Sequence, residues 1–328
     1  MSFKEILGQE KAVALLKAAF LRGRASHAYI FVGPAGVGKS KAAINFAKLL
    51  VCLSPRQAEP CDACPSCRKA DAASHPDIQV LAPDGQFIRI DAVREACRRL
   101  ALKGFESSTK VLIISDGAAL NDESSNALLK TLEEPSPGTA IIILATSLKA
   151  MAPTIVSRCQ RVVFSSLQES VIFEVLRRDH GVGEDEAFYL SRISEGCMEA
   201  ALRFRQEKVF MQRNRLVAAW LKGETGLFAA EGRRGSSQKK ESRQETEMGL
   251  YLLAGWLRDI LVAKISAEKK YFINADRIDD IIHLSRKLNP EVLEGALKLV
   301  AQTTADLKAN VNTRLALARL NSELQKIT

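Results

Sequence analysis

The stretch AYIFVGPAGVGKS, residues 28–40, decides the fold. It opens with a five-residue apolar run, Ala28 to Val32, too short for a helix and bounded by glycine, so it reads as a buried strand. The segment after this run, Gly33, Pro34, Ala35, Gly36, Val37, Gly38, Lys39 and Ser40, fits G-x-x-x-x-G-K-[ST]. The next residues, KAAINFAKLLV (41–51), read as a helix. A strand that runs through such a loop into a helix is the context in which this motif cradles phosphate. Glycines at 33, 36 and 38 let the backbone turn without a Cβ, so its N–H groups can face phosphate oxygens. The positive end of the adjoining helix adds to that field. Lys39 is expected to reach the β/γ-phosphates and the Ser40 hydroxyl to ligand Mg²⁺, which makes ATP with Mg²⁺ the expected ligand. Binding and hydrolysis are separate questions.

Outward from this loop the pattern repeats. IQVLA (78–82), VLIIS (111–115), AIIILAT (140–146) and RVVF (161–164) read as further strands. DAVREACRRLALK (91–103) and ESSNALLKTLEE (123–134) read as helices between them. Apolar strands alternating with helices predict a parallel sheet covered on both faces, spanning about residues 1–165. Beyond it the periods are helical throughout. Residues 166–208 read as a small helical unit and 209–328 as longer helices. EVLEGALKLVAQTTADLKA (291–309) is one of these, with a packing face at helical spacing. EGRRGSSQKKESRQETE (231–247) is nearly free of apolar residues and predicts a loop or disordered insertion. The expected class is therefore α/β followed by all-α.

Composition agrees. In 328 residues, 47 Lys+Arg against 38 Asp+Glu give a net charge of +9, with 47% hydrophobic and 26% charged residues. That is the mix of a globular protein and excludes a disordered or fibrous chain. No stretch reaches the roughly 18 apolar residues of a membrane span. The first residues, MSFKEILGQEKAVALLKAAF, are amphipathic and lack an apolar signal core, so a cytoplasmic location is expected. The basic excess is compatible with a nucleic-acid partner without demanding one. Arg22, Arg24, Arg98, Arg99, Lys239 and Lys240 are expected on solvated faces.

Four of the seven cysteines, Cys52, Cys61, Cys64 and Cys67, crowd into C-x8-C-x2-C-x2-C. In a reducing compartment this spacing points to a metal site rather than disulfides. Four thiolates suit a closed, tetrahedral and hence structural Zn²⁺. An iron–sulfur cluster takes the same donors, but nothing else here suggests redox chemistry. His75 is an alternative ligand, although Ser-His-Pro (74–76) reads better as a turn. Cys97, Cys159 and Cys197 read as small buried hydrophobes. His27, His180 and His283 have no spacing that suggests catalysis.

Several phrases now stand together: GQE (8–10), SHAYIFVGPAGVGKS (26–40), the four cysteines, SHPDI (74–78), NALLKTLEEP (126–135), ILAT (143–146) and SRCQ (157–160). Over residues 5–165 they resemble the bacterial DNA polymerase III clamp-loader subunits of the AAA+ class. The run N-x-N-x-R-L-A-L (310–317) also looks like the C-terminal end of one member. The resemblance implies an AAA+ nucleotide domain (1–165, with the zinc module 52–67 inserted), a helical lid (166–208) and a helical collar for oligomerisation (209–328). It implies a heteropentamer with gamma/tau and delta subunits, acting in bacterial replication at the nucleoid. That assembly loads a sliding clamp onto primed DNA, which it touches through the backbone. It places Thr146 at the first sensor position. It also makes Arg158, within Ser157-Arg158-Cys159, an arginine finger acting in trans on a neighbour's nucleotide.

The same resemblance exposes departures. In the ATP-hydrolysing gamma/tau motor, the third strand ends in an Asp-Glu pair that holds Mg²⁺ and orients water. Counting back from Asn126 puts Ser115 and Asp116 there, and a looser reading puts Asp116 and Gly117 there. Either way the pair is broken, and hydrolysis needs both functions. Glu199 falls where the family has its lid arginine, and a carboxylate repels a γ-phosphate. These departures favour a stator-like subunit over the gamma/tau motor, which is kept as the alternative. A nucleotide-gated DNA-binding module outside replication is a third reading and predicts DNA binding by the chain alone.

Overall fold

In the computed structural model, residues 2–222, 236–309 and 313–325 are described. The chain forms two units. Met1–Val171 together with Glu195–Glu199 make the first, and Ile172–Ser194 with Ala200–Thr328 make the second.

The first unit contains α1 (Glu10–Leu21), β1 (Ala28–Val32), α2 (Lys39–Val51), α3 (Pro65–Asp71), β2 (Ile78–Leu81), α4 (Ile90–Ala101), β3 (Lys110–Ile114), α5 (Asp122–Glu133), β4 (Thr139–Ala145), α6 (Pro153–Val156) and β5 (Gln160–Val163). The five strands form one sheet in the order β2-β3-β4-β1-β5, and every neighbouring pair is parallel. Ala28 pairs with Ile141 and Val32 with Ala145 across β1 and β4. Alternation along β1 splits its side chains. Tyr29 and Phe31 join a core with Leu16 of α1 and Phe46 of α2. Ala28 and Ile30 join a core with Val93 of α4 and Leu128 of α5 on the other face. Because both faces are covered, the strands read as continuous apolar runs, as the sequence predicts.

The second unit is helical: α7 (Glu169–His180, which begins in the first unit), α8 (Glu184–Ile193), α9 (Met198–Gln206), α10 (Val209–Leu221), α11 (Ser236–Val262), α12 (Ile278–Lys287), α13 (Pro290–Lys308) and α14 (Thr313–Gln325). Leu250, Leu253, Leu257 and Ile260 of α11 recur at helical spacing and pack on Leu293, Ala296, Val300 and Leu307 of α13. Trp220 and Trp256 are also buried there. Arg213 is fully buried, bonded to Asp276 at 2.8 Å and stacked on Tyr189 and Phe210 at 4.6 Å from each ring. Ion pairing and cation–π contact offset the cost of burying that charge.

One expectation is corrected. Residues 236–247, expected to be part of a loop or disordered insertion, belong to α11. Gln, Lys, Glu and Arg are good helix formers, and extending an existing helix costs far less than starting one. The apolar segment from Leu250 onward anchors that helix, and Arg243 bonds Glu247 one turn on at 3.1 Å. Low hydrophobicity therefore did not exclude a helix. Residues 231–235 and Asn310–Asn312 of the C-terminal motif lie outside the described residues, as do the side chains of Lys239 and Lys240. Among the described residues no helix is long and apolar enough to cross a membrane.

Candidate functional site

The phosphate loop lies at the carboxyl edge of the sheet, where open α/β folds bind ligands. The Gly33 N–H donates to the Ala145 carbonyl at the end of β4, 3.2 Å away, which brings the loop beside Thr146. A Cβ on Gly33 would stand 2.1 Å from the Phe164 carbonyl oxygen, so only glycine fits. At Gly36 the φ is +66°, and a Cβ would stand 2.2 Å from Cys197 Sγ and 3.0 Å from Glu199 Cβ. The segment Glu195–Glu199 thus packs on the loop. Pro34 and Ala35 are exposed at its tip, Val37 is buried in the core, and Gly38 caps α2. Ser40 is exposed on the first turn of α2. Lys39 is buried, and its ammonium donates to the carbonyls of Gly33 (2.6 Å) and Pro34. Burial lowers the Lys39 pKa, and the neighbouring Cys197 and Asp116 oppose that shift.

Just past β3, Asp116 accepts a hydrogen bond from the Ala118 N–H at 3.0 Å and caps the short turn Gly117–Ala119. Gly117 is closed off. A Cβ there would stand 2.8 Å from Ile143 Cγ2 and from Met151 Cε, both in the core. No acid fits at 117 without displacing that packing. Ser115 is held at the strand end, its N–H on the Leu81 carbonyl at 2.9 Å. Lys39, Asp116, Thr146 and Glu199 therefore surround the loop, with no second acid beside Asp116 on the strand.

Arg158 is held at a different point, between α5 and α6. It pairs with Glu133 at 2.7 Å and donates to the Thr154 carbonyl at 3.0 Å and the Ser157 hydroxyl at 3.3 Å. Its side chain is 36% exposed.

Cys52, Cys61, Cys64 and Cys67 converge, with all four sulfurs within 4.8 Å of one another and Cys61 and Cys67 3.9 Å apart. A tetrahedron with metal–sulfur bonds of about 2.3 Å has sulfur–sulfur edges of about 3.8 Å, so the donors fit a metal ion. Backbone N–H groups of Cys61, Cys64 and Cys67 donate to the sulfurs of Cys52, Cys61 and Cys64 at 3.3–3.4 Å, the contacts that stabilise bound thiolates. Hydrogen bonds from the Ser54 hydroxyl and the Ala63 and Cys64 amides pull the Cys61 thiol down to about 5, while burial pushes Cys67 up. A bound cation reverses the latter preference. Lys48 of α2, fully buried, ties this module to the sheet unit through Asp62 and Asp71, each at 2.5 Å.

His75 stands apart from the cluster, and its ring nitrogens are both engaged. The Ser66 hydroxyl donates to the Val51 carbonyl, so it accepts from His75 Nε2 at 2.9 Å. His75 Nδ1 accepts from the Asp77 N–H at 3.1 Å. Burial lowers the His75 pKa and keeps the ring neutral. Its reading as an alternative ligand is therefore corrected, because neither nitrogen has a lone pair free to bind metal. Asp77 accepts from the N–H groups of Phe105, Glu106 and Ser107 at 2.8–2.9 Å. Burial raises its pKa, but those three donors outweigh it and hold the carboxyl below its usual range. Sequence reasoning missed Asp77, Lys48 and Glu133, although SHPDI and NALLKTLEEP contain two of them. Cys97 and Cys159 pack against the core, and burial raises both thiols, Cys159 to about 12. Cys197 instead lies on the phosphate loop.

A five-stranded parallel sheet with a phosphate loop after its first strand, flanked by helices and followed by a helical region, defines a P-loop protein of the AAA+ class. Comparison with known proteins narrows this. Residues 8–168 match the family described as DNA polymerase III, delta subunit, and residues 237–324 match the C-terminal part of the DNA polymerase III delta subunit. The chain belongs to that DNA polymerase III subunit family. It is 28% identical to DNA polymerase III subunit delta′ of Bacillus subtilis over 97% of this chain and 96% of that protein. It is 30% identical to subunit delta′ of Escherichia coli over 62% of each. Subunit tau of Bacillus subtilis is 38% identical over 52% of this chain and 30% of its own length. The fold is shared with a DNA polymerase III gamma subunit-related protein of Thermotoga maritima, at a TM-score of 0.51 and 17% identity, over 96% of this chain and 99% of that one.

Proposed function

We propose that this chain is a delta-prime-type stator of a bacterial clamp loader, working with gamma/tau and delta subunits to place a sliding clamp on primed DNA. The observation that carries the proposal is the closed position at Gly117 beside a lone Asp116. The chain keeps a phosphate loop and Lys39 yet has no second acid beside Asp116, at 115 or 117, so it is suited to hold ATP with Mg²⁺ through Gly33–Ser40 and Asp116 without turning it over. Thr146 stands at the sensor position. Arg158 is the residue offered outward, to stabilise charge on a phosphoryl group in a neighbouring subunit's site, an effect of about 10³–10⁵ in rate in other systems. Cys52, Cys61, Cys64 and Cys67 hold a structural Zn²⁺ that closes the loop between α2 and α3. Residues 1–165 act as the nucleotide domain, 166–208 as the lid and 209–328 as the collar. Contacts to DNA are to the phosphate backbone and weaken with salt.

The intact loop favours one competing reading, an ATP-hydrolysing motor of the gamma/tau type. Steady-state hydrolysis by the purified chain with primed DNA, beside a nucleotide titration, separates the two. Binding without turnover is expected. Turnover that vanishes in Lys39→Ala would install the motor reading instead. In the assembled loader, Arg158→Ala is expected to abolish most of the hydrolysis.

A further inference from the structure

Glu133 ends α5, and Glu134 succeeds it as the helix cap. Carboxylates at the negative end of a helix oppose the macrodipole, where Lys or Arg is favoured, so helix stability does not explain them. Such local violations occur where a site needs the residue. Glu133 has one ion-pair partner among the described residues, Arg158 at 2.7 Å. The guanidinium is held from two sides: Glu133 pairs with Nη2, and Nη1 donates to the Thr154 carbonyl and the Ser157 hydroxyl. Ser157 is oriented in turn by donating to the Thr154 carbonyl at 3.0 Å. An arginine has five N–H donors. Among the described residues Nε makes no hydrogen bond, so the fork keeps donor capacity beyond these contacts.

We infer that Glu133 is a positioning residue for Arg158, holding the guanidinium in one orientation with its Nε donor left for a phosphate of the neighbouring subunit. This rests on the reading of Arg158 as a finger in trans. An arginine at the surface otherwise samples many rotamers, and ordering it at the moment of reaction costs rate. A carboxylate that fixes it beforehand removes that cost. Glu133 touches no reacting atom; it acts only through Arg158.

The test uses the loader reconstituted with its gamma/tau and delta subunits, with assembly of each variant checked by size. Hydrolysis is measured for the unaltered protein, Glu133→Gln, Arg158→Ala and the double variant. Exposed ion pairs have modest energies, so Glu133→Gln is expected to lower kcat about fivefold at unchanged KM. The double variant is expected to match Arg158→Ala, because Glu133 has nothing to position once the arginine is gone. Full activity of Glu133→Gln beside an inactive Arg158→Ala would overturn the positioning role and leave the finger intact. A faster Glu133→Gln would overturn it too, making Glu133 a restraint. A fully active Arg158→Ala would instead remove the finger reading itself.

Discussion

Cys197 Sγ stands 2.2 Å from the point a Cβ on Gly36 would occupy. Two residues distant in sequence therefore share one small space on the phosphate loop. Gly36 is required twice, by its φ of +66° and by the thiol above it. Gly36→Ala is expected to destabilise the chain by about 2–4 kcal/mol through backbone strain and overpacking. A denaturant midpoint at unchanged slope measures this. A loss under about 0.5 kcal/mol would show that 195–199 does not pack there.

Glu199 brings its carboxylate to the same spot, with Oε2 3.3 Å from the Gly36 Cβ position. On the proposed reading of the loop as an ATP site, neutralising it would remove a charge that opposes the outermost phosphate. Glu199→Gln is expected to tighten ATP about fivefold and ADP by less, since the added charge of ATP lies at its end. Calorimetric titration of both nucleotides tests this. Equal gains would mean the carboxylate does not sense the third phosphate.

At Gly117, restoring an acid is expected to fail. Gly117→Glu would press on Ile143 and Met151, so a stability loss of about 1–3 kcal/mol is expected with no gain in hydrolysis. A variant that folds normally and turns over ATP would show that packing at 117 does not bar an acid there.

The cysteine cluster predicts about one equivalent of zinc in purified protein, lost in Cys67→Ser, whose site is the most buried of the four. The same change is expected to lower Tm by several degrees, and a chelator to do likewise. Elemental analysis finding far less than one equivalent, or iron, would displace the zinc assignment.

Stability should depend on pH at both ends. Folding lowers the Asp77 pKa, so its contribution is present above the unfolded value near about 3.9 and fades as pH falls through the folded value. Folding also lowers the His75 pKa, so stability declines as pH drops below about 6.5 toward the folded value. Burial lowers the Lys48 pKa, but bonds to Asp62 and Asp71 win and raise it to about 12. Its contribution is full below about 10.4 and is lost as pH rises through 12. Asp77→Asn is expected to cost about 2 kcal/mol at pH 7, a gap that narrows as pH falls below about 3.9. Chemical denaturation across that range reads it directly, and a pH-independent gap would contradict the carboxylate's role.

Much of the site was legible because its parts are contiguous. The loop Gly33–Ser40 and the four cysteines are short motifs whose chemistry depends on local spacing. The strands were legible because both sheet faces are buried, which leaves uninterrupted apolar runs. Glu133 was not legible as a partner of Arg158, because the two meet only where α5 packs on α6. Asp77 and Lys48 were invisible for the same reason: polar residues read as exposed until their partners are known. The helix at 236–247 was misread because composition reports solvation, not backbone conformation.

By itself, the sequence determined the parallel sheet, the phosphate loop and the metal-binding spacing, all encoded in residues near each other along the chain, while the missing acid pair showed only against the family it resembles. Only the tertiary structure decided that Gly117 is closed by Ile143 and Met151, that Cys197 and Glu199 rest on Gly36, and that Arg158 is held by Glu133. Those contacts join residues from separate elements. Packing and ion pairing act through space, so no local pattern in the chain records them.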